Sequence, residues 1–412
     1  MNPERLTEHF PVAVIGGGQA GLATSHELSK LGVDHVVLER GRIGQTWRDR
    51  WDSFCLVTPN WSVQLPDAHY DGPDPDGFMP RDEIVEYLER YASDSLAPVR
   101  DGVEVSSIAP LEDGGFSIET SEGVLICDAV VVATGAYQRP HRPKGASSLP
   151  TGLPQIDIDD YRNPEQLPGG KVLIIGSAQS GCQVSEELRE SGREVVLACG
   201  RAPWGPRRIG GRDLFWWAEQ MAFFETLVDD LPSPEARLNG NLIATGHDGG
   251  HDLSLRTLHD MGVTLAGRFE ACDEKEIRFR PDLAESVAFG DEAYLAFRDD
   301  VFDFVAERGL AKPDLPDLPP FVEEGLTSLS VAELGAVIFA TGFRPYYGAL
   351  FPRPDAFDSH GFPIQHDGAS TVVTGMYFVG VHFLRKRKSS LMLGVGEDAA
   401  VVAGQIAATI QL

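Results

Sequence analysis

Twice along the chain a four-residue apolar run meets a glycine-rich turn and then a helical pattern. Val12-Ala13-Val14-Ile15 runs into Gly16-Gly17-Gly18-Gln19-Ala20-Gly21 and the stretch from Leu22 to Leu31. Val172-Leu173-Ile174-Ile175 runs into Gly176-Ser177-Ala178-Gln179-Ser180-Gly181 and the stretch from Cys182 to Glu190. A short apolar run bounded by glycine and coupled to helix-period spacing reads as a buried parallel strand entering a crossover helix. Val36-Val37-Leu38-Glu39 predicts the next strand. Ile84, Val85, Leu88 and Tyr91 predict a helix over 81–92, and residues 103–135 alternate with period two around a turn at Gly114-Gly115. The strand closing in Ala133-Thr134-Gly135 is echoed by Ala336 to Phe339 and Ala340-Thr341-Gly342. Met376 to Val381 predicts a last strand, and the small-residue run from Glu397 to Ile410 a last helix. Prolines punctuate residues 140–168 and 313–320, and residues 205–330 carry no clear period. The expected class is α/β, with two Rossmann-like dinucleotide-binding domains of three layers (β/β/α), the second inserted into the first. The expected bounds are 1–150 and 331–412 for the outer domain and 165–330 for the insert.

Composition narrows the function. A chain of 412 residues holds two sizeable cores. Its formal net charge of −27 opposes nucleic acid and anionic lipid as partners. No apolar run is long enough to span a bilayer, and Glu4 and Glu8 oppose a signal peptide. The expectation is a cytoplasmic protein with no membrane partner; homodimer formation is compatible with the sequence. The five cysteines are scattered without a Cys-x-x-Cys, so a redox dithiol and a thiolate zinc site lack support. His247 and His251 are four apart, but the intervening Asp248-Gly249-Gly250 argues against a helix, so no metal site is expected.

The two turns supply the chemistry. Gly16 allows a tight bend, Gly18 lets backbone approach a pyrophosphate, and Gly21 lets helix and strand pack closely. The helix start offers free N–H groups to phosphates. Glu39 ends the second strand where an acid binds ribose hydroxyls. The second turn has Ala178 in its middle, and Arg201, with Arg207 and Arg208 nearby, where an acid would stand. An arginine there pairs with a 2′-phosphate that a carboxylate would repel, which favours NADPH over NADH.

Together these turns, Glu39, the two Ala-Thr-Gly strand ends and Val337-Ile338-Phe339-Ala340-Thr341-Gly342-Phe343-Arg344-Pro345 resemble the class B flavin-containing monooxygenases. The stretches Tyr377-Phe378-Val379-Gly380 and Gly394-Val395-Gly396-Glu397-Asp398-Ala399 fit the same family, in a bacterial branch carrying a potassium-transport flavoprotein label. The resemblance implies FAD at the first turn (Gly16, Gly18, Gln19, Ala20, Gly21, Glu39, Arg40, Gln45, Trp47, Thr134, Gly135, Gly380). It implies NADPH at the second (Gly176, Ser177, Ala178, Gln179, Ser180, Gly181, Arg201, Arg208), with Thr341 and Gly342 of the return segment also binding cofactor. The implied activity moves a hydride from NADPH to FAD and one atom of O₂, through a C4a-(hydro)peroxyflavin, to a small organic substrate. Asn60, in an aromatic-flanked loop, is the implied catalytic asparagine. Asp157 stands where the family's linker has a histidine. That departure keeps a second reading open, an NADPH oxidase or reductase without oxygenation; a nucleotide-sensing regulatory subunit is a third. Arg385-Lys386-Arg387-Lys388 reads equally as an anion site or as charges balancing local acids. Gly394 to Gly396 are expected to precede the last helix and aim its N–H groups at the flavin.

Overall fold

The computed structural model describes residues 8–238 and 241–410; Glu4 lies outside them. Strand β1 (Glu8–Ile15) leads through the first turn into helix α1 (Gln19–Lys30) and strand β2 (His35–Glu39). Helix α2 (Arg81–Asp94) and strand β3 (Val99–Asp101) follow. A meander of β4 (Val105–Pro110), β5 (Phe116–Thr120) and β6 (Gly123–Val132) turns at Gly114 and Gly115, as the period-two pattern predicts. In the insert, β7 (Gln155–Asp157) precedes β8 (Lys171–Ile175), helix α3 (Gln179–Glu190), β9 (Val195–Ala198), helix α4 (Leu255–Asp260) and β10 (Thr264–Ala266). A 25-residue helix α5 (Leu283–Glu307) and β11 (Leu334–Phe339) complete it. The chain closes with β12 (Met376–Phe378) and α6 (Met392–Ile410).

β12, β6, β1, β2 and β3 lie side by side in that order, all parallel, in the first sheet. The second sheet has the order β7-β11-β8-β9-β10 and is parallel throughout. Burial on both faces explains the continuous apolar runs of β1, β6, β8 and β11. Helix α6 is long and apolar, and its buried face packs with α1 residues Leu22, Ala23 and Leu28 in one core cluster.

Two expected boundaries move. β7 and β11 lie outside 165–330, yet both belong to the second sheet, with Gln155 beside Val337 and Ile174 beside Ile338. The echoed strand therefore completes the insert instead of opening the return to the first domain. The two crossovers then run together as an antiparallel pair, Arg139 beside Arg344 and Pro140 beside Phe343. Helix α6 begins at Met392, so Gly394 and Gly396 lie within its first turns and not ahead of it. Residues 205–330 fold as a two-residue hairpin (Arg208–Ile209 with Arg212–Asp213), a helix over Leu214–Gln220, short turns, α4, β10, α5 and a three-stranded antiparallel sheet containing Phe269–Cys272, Glu276–Phe279 and Ser328–Ser330.

Candidate cofactor site

The two glycine turns are built alike. Gly16 and Gly176 take φ of +114° and +106°, which side chains rarely adopt. A Cβ on Gly16 would stand 2.6 Å from the Ala133 carbonyl oxygen, and one on Gly176 2.5 Å from that of Ala340. This is why each turn has its own Ala-Thr-Gly strand end: the strand's last carbonyl passes beneath the bend. A Cβ on Gly21 would meet the Gly16 oxygen at 1.8 Å, and one on Gly181 the Gly176 oxygen at 1.9 Å. Of the three fingerprint glycine positions, only the middle one differs. Nothing lies within 4 Å of a Cβ on Gly18, the residue before α1. Ala178 occupies the matching place before α3 with φ −80° and ψ −166°, close to the −85° and −173° of Gly18. That extended backbone suits any residue, so alanine costs no strain there.

Around the first turn, Glu39 is buried, its two oxygens accepting from Gly17 N–H at 2.7 Å and Gly41 N–H at 2.8 Å. A carboxylate oxygen has a second lone pair, so Glu39 keeps capacity for ribose hydroxyls. Arg40 is exposed beside it. Gln45 donates to Asp49 at 2.9 Å and fixes the turn carrying Trp47, whose Nε1–H donates to Gln19 Oε1 at 2.9 Å. Gln19 Nε2 donates to the Ser390 carbonyl at 3.2 Å, and Gly380, at φ +78°, passes so close that a Cβ would stand 2.6 Å from the Ala20 Cβ. Sequence-distant predicted residues thus converge on the start of α1. The open cradle before Gly18, free N–H groups and a nearby buried carboxylate fit the diphosphate and ribose of a dinucleotide.

The second turn fits a dinucleotide of different charge. Ser177 Oγ accepts from Gly200 N–H at 2.9 Å and so places the residue after it, Arg201, beside the turn. Arg201 is exposed, and among the described residues its guanidinium has no hydrogen bond or ion pair. Gln179 holds both sides of the Ala244 backbone, and Ser180 is half-buried. Arg208 is partly committed, donating to the Gly249 carbonyl at 3.1 Å with Asp213 at 4.0 Å. Arg207 is buried, paired with Asp213 at 2.8 Å and donating to the Val57 carbonyl at 2.8 Å. It ties the insert to the outer domain. Thr134 accepts from Gln138 at 2.8 Å, the Gly135 carbonyl accepts from Tyr347 at 3.1 Å, and Thr341 donates to the His141 carbonyl, beside Gly342.

Three residues or runs singled out in the sequence acquire partners at this level. The Asn60 amide is used within its own loop: Oδ1 accepts from Met79 N–H at 2.6 Å and Nδ2 donates to the Asp74 carbonyl at 2.9 Å. An amide so committed braces the 74–79 loop, leaving one N–H. Asp157 pairs with Arg142 through two 2.8 Å bonds, and that guanidinium lies 4.4 Å from the Phe339 ring centre. The basic run balances acids. Arg385 meets Asp367 at 2.9 Å and Asp398 at 3.4 Å, Lys386 and Lys388 both pair with Glu225 and Glu397, and Arg387 lies over Phe223. Burial pushes the Asp398 carboxyl up to about 6 despite Arg385. These pairs clamp residues 225–228 onto the closing segment, with Val228 N–H donating to the Arg385 carbonyl at 2.9 Å.

A cluster without any sequence signal lies where the two halves join. Tyr137, just past Gly135, meets Phe343, just past Gly342, at 5.4 Å between ring centres. Tyr137 also packs edge-on to His382 at 5.1 Å, with the Arg50 guanidinium 5.6 Å from its ring centre. Burial lowers the pKa of Arg50, whose Nε has no hydrogen-bond partner among the described residues. His382 bonds Ser390 Oγ through Nδ1 at 2.9 Å, and burial holds its pKa down at about 4. The neutral ring is therefore favoured in the fold. Its contribution to stability is full above the ordinary histidine pKa and is lost as pH falls toward 4, because the unfolded chain takes up the proton first. The drop is at most about 3 kcal/mol, the equivalent of the shift. His382→Gln, which keeps a partner for Ser390, is expected to flatten that part of the urea-midpoint profile between pH 6.5 and 4.5; an unchanged profile would place the ring in water.

The chain matches known proteins along this architecture. Residues 13–210 match the pyridine nucleotide-disulphide oxidoreductase family. The chain is 32% identical over 397 residues to an uncharacterized CzcO-like oxidoreductase of Geobacillus kaustophilus, covering 96% of this chain and 97% of the relative. It is 31% identical over 225 residues to human flavin-containing monooxygenase 5, covering 48% and 42% of the two chains. In fold it is similar to a flavin-containing monooxygenase from Stenotrophomonas maltophilia, with a TM-score of 0.67 at 19% identity over 98% of this chain and 99% of the other. The chain belongs to the flavin monooxygenase-like family of flavin-dependent oxidoreductases, with the CzcO-like oxidoreductases among its relatives and with FAD and NADPH as the family's cofactors.

Proposed function

We propose that this chain is an NADPH-dependent monooxygenase of a small organic substrate, with FAD at the first glycine turn and NADPH at the second. The observation that carries the assignment is the inequality of two otherwise matching turns: a buried acid, Glu39, beside one and an unpaired guanidinium, Arg201, beside the other. The cofactor pair supplies hydride transfer and oxygen activation. The net reaction consumes NADPH, one proton, O₂ and substrate, and yields NADP⁺, water and substrate bearing one oxygen atom. The protein's part is to bind and exclude water. Helix α1 would offer N–H groups to the diphosphate of FAD, and Trp47, bonded to Gln19, would fix the approach to it. Tyr137, Phe343 and His382 would line the junction where the two cofactors meet. Asn60 acts by holding its loop.

The Asp157–Arg142 pair favours a second reading, because it ties the linker rigidly where the family places a histidine. Reduced flavin would then return its electrons to O₂ as hydrogen peroxide. One experiment separates the two. Flavin-loaded protein turning over NADPH under isotopically labelled O₂, with thioether, amine and ketone substrates, should give labelled product and peroxide well below the NADPH consumed. Peroxide equal to the NADPH consumed with every substrate would support the oxidase reading instead.

A further inference from the structure

The C-terminal half of α3 carries Glu186 and Glu190, one helical turn apart, and the loop 247–251 lies against them. This loop does not form the helix that would align His247 with His251 by periodicity. It brings them together by another route: Asp248, Gly249 and Gly250 all take positive φ, at 47°, 80° and 83°. The reversal sets the two imidazole rings 6.4 Å apart, each facing one of the two glutamates. The loop is tightly seated. A Cβ on Gly246 would stand 2.1 Å from the Leu56 carbonyl oxygen, and one on Gly250 2.7 Å from the Phe78 ring.

His247 Nε2 lies 3.2 Å from Glu190 Oε2 and 3.7 Å from Asp248 Oδ2, and ligand atoms of all three lie within 4.8 Å of one another. Ligands held 2.0–2.2 Å from a tetrahedral ion stand roughly 3.3–3.6 Å apart, so two of these separations bracket a tetrahedral edge. The charge also calls for a cation. Among the described residues no lysine or arginine pairs with Glu186, Glu190 or Asp248; histidine is the partner of each. Behind the three lies a second pair, His251 Nε2 on the buried Glu186 at 2.6 Å, which fixes the loop to α3 from beneath.

We propose that Glu190, His247 and Asp248 form a binding site for one divalent transition-metal ion of the zinc class. One imidazole with two carboxylates selects such an ion over Mg²⁺ or Ca²⁺, which take oxygen ligands. Water would complete the coordination. The His251–Glu186 pair is a positioning element that holds the loop carrying His247 and Asp248. The site is separate from the glycine turns, and the proposal stands whichever reaction the flavin performs.

Equilibrium dialysis of the full-length, flavin-loaded protein against Zn²⁺, after chelator treatment, tests it by metal analysis. The expected result is one tight Zn²⁺ per chain. His247→Ala and Glu190→Gln are expected to weaken it more than about 100-fold, and His251→Ala roughly 10- to 100-fold as an outer partner. Glu190 is exposed, so its variant keeps the fold even if the loop variant does not. His366→Ala, at an exposed histidine beside Asp367, should leave binding unchanged. Absence of tight Zn²⁺ in the wild type, or equal affinity in the wild type and Glu190→Gln, overturns the site.

Discussion

Gly21→Ala should yield a chain that fails to retain FAD and melts well below the wild type, whereas Gly18→Ala should fold normally. Intrinsic propensity argues the other way, since alanine inside a helix gains about 1 kcal/mol over glycine. Packing decides the outcome. The Gly21 Cβ would lie 1.8 Å from the Gly16 carbonyl oxygen, a backbone atom that cannot rotate away. Gly16 is itself fixed, its N–H donating to the Leu38 carbonyl at 2.8 Å while its Cβ direction faces the Ala133 oxygen. Overpacking costs typically 1–3 kcal/mol even where side chains can adjust, and here helix α1 must move off the sheet. At Gly18 the backbone is extended and the space in front is open, as Ala178 demonstrates in the second turn. Its alanine variant should keep the wild-type melting temperature and lose flavin only through crowding of the diphosphate. Gly181→Ala meets the same overlap, 1.9 Å from the Gly176 oxygen, in the second sheet. It should impair NADPH binding while the protein stays yellow. Flavin absorbance per chain and a thermal melt on all three variants check this; a Gly21→Ala protein with full FAD and an unchanged melt would mean that α1 is free to shift.

The parts legible in the sequence are those with a local steric cause. Two glycines in each turn, required by different backbone contacts, mark both turns in the sequence, and alternating apolar and polar positions mark the β4–β6 meander. Residues 336–342 are legible as a strand end that echoes the one closing at Gly135, but not as to which sheet they join. Their likeness to 127–135 pointed to the first sheet, whereas the Ala340 carbonyl lies under Gly176 and β11 sits between β7 and β8. Sequence echo reports local shape; strand order is set by packing over long separations. β7 is three residues long and too short to show a period, so it read as linker. Asn60 and Arg385 to Lys388 were ambiguous because their partners, Met79, Glu225 and Asp367, are fixed only by tertiary contact. Arg50, Tyr137 and His382 gave no signal because single aromatic and basic residues far apart in the chain carry no spacing. For His247 and His251, helical spacing carries no signal because a run of positive-φ residues, and not a helix, brings the two rings together.

Arg201→Ala should raise the KM for NADPH about 10- to 150-fold and leave the KM for NADH within about twofold. The range follows from charge-assisted hydrogen bonds, worth roughly 1.5–3 kcal/mol, at about 1.4 kcal/mol per tenfold. Two features assign the effect to this arginine. It follows the residue that Ser177 fixes beside the second turn, and its guanidinium has no competing partner among the described residues. Arg207 cannot substitute, being buried against Asp213 and the Val57 carbonyl. Arg208 would first have to leave the Gly249 carbonyl, so Arg208→Ala should cost NADPH less than Arg201→Ala does. The comparison of the two nucleotides is the decisive part. A 2′-phosphate is the only group that distinguishes NADPH from NADH, so removing a guanidinium that acts on it must lower one affinity and spare the other. Equal losses for both would put Arg201 on the shared diphosphate instead, and the preference for NADPH would then need another source.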